Sequence, residues 1–110
     1  GFLTSKYHPG HHFGESDHRR RWNSERLEWI LRQSADLQTW AVQSSYEQLS
    51  QVAIRFAMEQ PGISTVIVGA KSAQQVRSNV AVGKLPPLAA SLRACLVERF
   101  AGLNDRFNID

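Results

Sequence analysis

An α/β fold, mostly helical over this stretch, follows from three observations. The run from Ile63 to Val68 is short, β-branched and apolar on both alternations apart from Ser64 and Thr65 at its entry, which is the pattern of a strand buried on both faces. It breaks at Gly69 and opens directly into a helical stretch. Apolar residues recur at three- and four-residue steps in the segments on either side, which predicts about four helices around one clear strand. A strand buried on both faces favours a parallel sheet or barrel. One strand cannot satisfy its own backbone groups, so other strands must pair with it.

From Tyr7 to Trp22 the chain is rich in His, Gly, Arg and Pro without an apolar period, which predicts a mobile or poorly ordered surface loop. Asn23 or Ser24 can cap a first helix carrying Leu27, Ile30, Leu31, Ser34 and Leu37 and ending near Val42. Ser45-Tyr-Glu-Gln48 has capping-box spacing and starts a second helix with Leu49, Val52, Ala53, Phe56 and Ala57 as its stripe. Pro61-Gly62 stops it. After the strand, a third helix runs from about Ser72 to Val82. A Gly83-to-Pro87 connector follows, and Leu88, Leu92, Cys95 or Leu96, and Phe100 mark the fourth.

The 110 residues suit one domain at most. The net charge of +3 is concentrated in Arg19-Arg20-Arg21, which reads as a solvated segment. No aromatic platform beyond Trp22 accompanies it, so nucleic acid is not implied as a partner. The single cysteine, Cys95, has no thiol to pair with and fits a reducing, cytoplasmic setting. No apolar run has the length of a membrane span, and no membrane partner is expected. His8, His11, His12 and His18 could offer two imidazoles to one ion, but no nearby Cys completes a set, so no metal site is expected. Trp29 and Trp40 are read as packing residues, or as residues facing a partner subunit. The chain opens on Gly1 with six residues that look like a loop leaving an earlier element, which predicts a piece of a longer protein.

The chemistry-bearing stretch is Thr65 to Asn79. Where a buried strand turns at Gly69 into a helix, the first helical amides lack intrahelical partners and carry partial positive charge, so an anion is the natural guest. Lys71 adds a full charge, and Ser72 can cap the helix and donate its hydroxyl.

Four segments in order resemble the C-terminal part of the aldo-keto reductases, (β/α)8 TIM barrels that use NADPH. Gly1-Phe-Leu-Thr-Ser-Lys-Tyr7 resembles the G-[FL]-L-T-G-K-Y loop after the seventh barrel strand. Glu25-Arg-Leu-Glu28 resembles the start of the next helix. Gln48 to Gly62 resembles S-[LP]-x-Q-L-A-L-x-[FW]-x-L-x-x-P-G, and Val66 to Asn79 resembles V-I-x-G-A-[RK]-[NST]-P-E-Q-L-x-E-N, the eighth strand and its cofactor helix. The departures are Ser5 for Gly, Gln48 for a Ser or Thr cap, Ala73 for Pro, and Ser78 for Glu.

The resemblance implies that residues 1–22 are the loop after barrel strand seven. Residues 23–110 are then the C-terminal helices, last strand and cofactor helix. It implies cofactor-binding roles for Gly1, Leu3, Thr4, Lys6, Gly69, Ala70, Lys71, Ser72, Gln75, Ser78 and Asn79. Within that set, Gln75 and Asn79 lie near the adenine, and Lys71 and Ser72 near the 2′-phosphate of NADP. Positions 75, 78 and 79 share a helix face, with Val76 and Val80 beside them expected to pack inward. The implied reaction is hydride transfer from NADPH to a small aldehyde or ketone. The family's catalytic Asp, Tyr, Lys and His belong to the first half of the barrel, so this chain carries no catalytic residue and is expected to be inactive alone. The alternative is a truncated helical module that self-associates as a homo-oligomer or swapped assembly through exposed apolar faces.

Overall fold

A computed structural model describes residues 1–4, 6–42 and 46–101. Among them it forms α1 (Ser24–Val42), α2 (Leu49–Met58), α3 (Ala73–Ala81) and α4 (Ala90–Phe100), with 3-10 turns at Phe2–Thr4, His18–Arg21 and Val82–Lys84.

The start of α1 is set by Asn23, whose Oδ1 accepts the Arg26 N–H at 3.0 Å. Its stripe behaves as the periodicity requires: Leu31, Ser34 and Leu37 are buried, while Leu27 and Ile30 are half-buried. At α2 the capping differs from expectation. Ser45 lies outside the described residues, and Gln48, at the N-cap, makes no side-chain capping bond. Gln51 from the first turn reaches back instead, its Oε1 accepting the Glu47 N–H at 3.1 Å. The helix ends at Met58, and Gly62 then takes φ 81°, a left-handed turn that suits glycine.

The core joins Leu37 and Ala41 of α1, Tyr46 ahead of α2, Leu49 and Val52 of α2, and Leu88 and Leu96 from the C-terminal part, with Trp40, Phe56, Leu85, Leu92 and Phe100 packed around them. Polar fasteners sit at its edges. The Tyr46 hydroxyl donates to the Pro86 carbonyl. Glu59 accepts from Arg55 at 2.6 Å and from the Leu88 N–H at 3.0 Å. Arg99 of α4 clamps α1, donating to Gln33 and to Asp36, each at 2.5 Å. Its guanidinium also lies 5.3 Å from the Trp40 ring centre, and the Trp29 ring meets Phe100 edge-on at 6.2 Å. Both tryptophans therefore pack within the chain.

The structure corrects three expectations. The stretch 63–68 is not a strand: residues 63–70 run without regular hydrogen bonding, and no strand or barrel wall forms among the described residues. A β-branched segment can be extended by its own sterics, but a strand requires a neighbour to pair with. Val76 and Val80, expected to pack inward, are 50% and 68% exposed because no described element covers that side of α3. The segment from Tyr7 to Trp22 is built around a contact network described below, with Arg19 half-buried instead of solvated. No helix among the described residues is long and apolar enough to cross a membrane.

Candidate functional site

The N-terminal loop is folded onto α1 and α2. Its 3-10 turn is closed by Thr4, whose N–H and hydroxyl both donate to the Gly1 carbonyl, at 3.3 and 2.7 Å. The next carbonyl, that of Phe2, accepts the hydroxyl of buried Ser34 at 2.5 Å, which fastens the loop to the middle of α1.

Facing this loop, α3 opens with a reciprocal cap. Ser72 Oγ accepts the Gln75 N–H at 3.2 Å, and Gln75 Oε1 accepts the Lys71 N–H at 2.6 Å. Gln75 therefore spends its carbonyl oxygen on the helix start, and only its NH2 group is left for a guest. Gly69 is not in the left-handed region, and a Cβ placed on it would meet nothing within 4 Å. The chain bends instead at Lys71 and Ser72, and the Gly69 carbonyl lies 3.5 Å from Asn79 Nδ2. That contact is long, so the Asn79 amide has donor capacity to spare.

Between the loop, the first turns of α2, and α3 lies a cleft of about 670 Å3. Of the residues expected at a cofactor site, Gly1, Leu3, Thr4, Lys6, Gly69, Gln75, Ser78 and Asn79 line it. The remaining three stand apart from this cleft. Ala70 lines an adjoining hollow of about 430 Å3 with Met58, Val76 and Val80, which shares Ile54, Val68 and Asn79 with the cleft, and exposed Lys71 and Ser72 line neither cavity. Lys6 is the one charged side chain among the cleft's described lining residues. With no carboxylate beside it, the cleft favours a negatively charged or polar guest.

The third wall was not singled out by sequence reasoning. Gln48, Ser50 and Ala53 of the α2 start, and Gln74 of α3, also line the cleft. Gln51 stands behind them, buried, its Nε2 lying 3.4 Å from Ser78 Oγ and 3.5 Å from the Ser78 carbonyl. The signal for this wall is the polar cluster Gln48, Ser50 and Gln51 at the head of an otherwise apolar helix.

Behind the loop lies the network of the 7–22 segment. The Arg19 guanidinium donates to Asp17 Oδ1 at 2.9 Å and Oδ2 at 2.5 Å, and to the Tyr7 hydroxyl at 2.9 Å. It sits 4.3 to 5.6 Å from the ring centres of Phe13, Tyr7 and Phe2. The Arg19 hydrogen bonds hold the Asp17 carboxyl well below its ordinary value, and the same guanidinium lowers the Tyr7 hydroxyl. The histidines do not join in a metal cluster: no group of three or more ligating His, Cys, Asp or Glu side chains occurs among the described residues.

Comparison with curated proteins and with solved structures returns no match. A family model does match, over residues 1–94, a span that takes in the N-terminal loop, every residue lining the cleft, α1 to α3 and the first residues of α4. On that match the chain belongs to the aldo/keto reductase family.

Proposed function

We propose that the chain is the NADPH-binding portion of a cytoplasmic oxidoreductase that reduces small aldehydes or ketones, the catalytic Asp, Tyr, Lys and His lying outside these residues. The supporting observation is the cleft. It draws the 1–6 loop and the 69–79 segment together across more than sixty positions of sequence, and its volume lies in the range of small-ligand sites.

The donor set suits the adenosine and phosphates of a dinucleotide. Lys6 offers an ammonium to a phosphate, and the hydroxyls of Ser50 and Ser78 with the amide of Gln74 can hydrogen-bond phosphate or ribose. The Asn79 amide, weakly held by Gly69, can turn to the adenine edge. Lys71 and Ser72, exposed at the head of α3, are the groups for a 2′-phosphate, which favours NADPH over NADH. When bound, the nicotinamide supplies the hydride; the residues of this chain bind and orient the far end of the cofactor.

The test is a fluorescence titration of the 110-residue chain with NADPH at low and moderate salt, repeated with Lys6→Ala. Saturable binding that weakens about tenfold on Lys6→Ala and with added salt is expected, since a charged hydrogen bond contributes about 1.5–3 kcal/mol and is screened. A folded chain with no saturable binding overturns the reading.

A second reading, self-association, draws on a separate observation. Ile67 is 96% exposed, and exposed Ile63, Val68, Val76 and Val80 line one hollow together. Isolated surface aliphatics are ordinary, but a group of them beside a segment without regular backbone pairing favours association.

A further inference from the structure

We propose that Arg19 is a positioning residue of the cleft: through Tyr7 it sets the course of the Gly1–Lys6 loop and so holds Lys6 at the cleft wall. The proposal rests on the cofactor reading above and adds to it a residue that does not line the cleft.

The network has one centre. Asp17 occupies the Nε–Nη2 edge of the guanidinium, accepting at both carboxylate oxygens and also from the Arg19 backbone N–H at 3.0 Å. With that edge fixed, the same Nη2 nitrogen donates at 2.9 Å to the Tyr7 hydroxyl. Tyr7 in turn touches both ends of the loop. The Lys6 ammonium lies 5.5 Å from its ring centre. A Cβ on Gly1 would come within 3.2 Å of its ring edge and 3.5 Å of an Arg19 nitrogen, so the chain passes tightly between these groups. Phe2, whose carbonyl is held by Ser34, places its ring 6.2 Å from Tyr7 and 5.5 Å from Trp22. Removing Arg19 therefore frees the Tyr7 hydroxyl and withdraws the cation on which the three rings rest. The loop would then be held chiefly by Ser34. Arg20 and Arg21 cannot substitute, because both are exposed and Arg20 makes only a 3.8 Å approach to Glu15.

The experiment is a double-mutant cycle on the 110-residue chain, with NADPH affinity as the readout: wild type, Arg19→Ala, Lys6→Ala and the pair. Arg19→Lys tests direct charge contact, and trypsin cleavage after Lys6 relative to Lys71 reports the loop without cofactor. We expect Arg19→Ala to weaken binding about tenfold, the double variant to bind no worse than Lys6→Ala, and Arg19→Lys to give no rescue. Cleavage after Lys6 should rise severalfold in Arg19→Ala while helical circular dichroism holds. Wild-type affinity in Arg19→Ala, additive losses in the pair, or rescue by Arg19→Lys would overturn the proposal while leaving the cofactor reading intact. If no form binds NADPH, the cofactor reading falls, and the positioning role of Arg19 falls with it.

Discussion

Three consecutive arginines look alike in the sequence and end in unlike places. Arg20 and Arg21 stay in solvent, whereas Arg19 is drawn between an aspartate and three aromatic rings. The difference comes from where Asp17, Tyr7 and Phe13 fall in space, which no periodicity encodes. It carries a pH dependence whose sign is fixed. Because Arg19 holds the folded Asp17 carboxyl below its unfolded value, the bond's contribution is complete above an ordinary aspartate pKa of about 4. It is lost as pH falls toward the depressed folded value. We expect the ring NMR signals of Phe2, which lies 5.6 Å from the Arg19 guanidinium, to hold steady from neutral pH to about 4 and shift below it. In Asp17→Asn those signals should already be displaced at pH 7. A Phe2 signal that shifts instead through the histidine range would place control of the cluster elsewhere.

At the scale of elements, the helices were legible because their cues are local. The Asn23 cap, the three- and four-residue stripes, the Pro61-Gly62 stop and the Ser72 cap each act within a turn or two, and each is found where the sequence puts it. The stretch 63–68 was read as a strand and forms none, since pairing belongs to two segments and only one is present among the described residues. The α3 cap carries a prediction. Ser72→Ala removes the acceptor for the Gln75 N–H and should cost about 1 kcal/mol. Because α3 is a short helix of nine residues with no buried side chain, the loss should appear as faster amide exchange across 75–78, ahead of any change in α1. Uniform exchange acceleration through both helices would show that α3 has no separate stability.

Across the whole molecule, two walls of the cleft could be read from sequence and the third could not. The loop and the α3 segment announce themselves as motifs, while Gln48, Ser50 and Gln74 are ordinary polar residues at helix starts until the fold sets them together. The radius of gyration, 14.7 Å, exceeds the roughly 13 Å of a compact domain this long, in keeping with the uncovered 63–80 side. Sedimentation should therefore show association that rises with concentration, and Ile67→Lys, altering a side chain 96% exposed, should suppress it without loss of helix. Association unchanged by that substitution would locate the contact elsewhere, with exposed Val97 of α4 the next site to alter.

Within four positions, α1 holds both the N-terminal turn and α4: Ser34 holds the Phe2 carbonyl, and Gln33 and Asp36 hold Arg99. The middle of α1 thus works as a common anchor post. Any guest that tightens the loop against Ser34 steadies the same helical turn on which α4 is moored. By reciprocity, loosening α4 taxes occupancy of a cleft it never touches. A change as remote as Arg99→Ala would then register as weaker binding at the opposite end of the sequence.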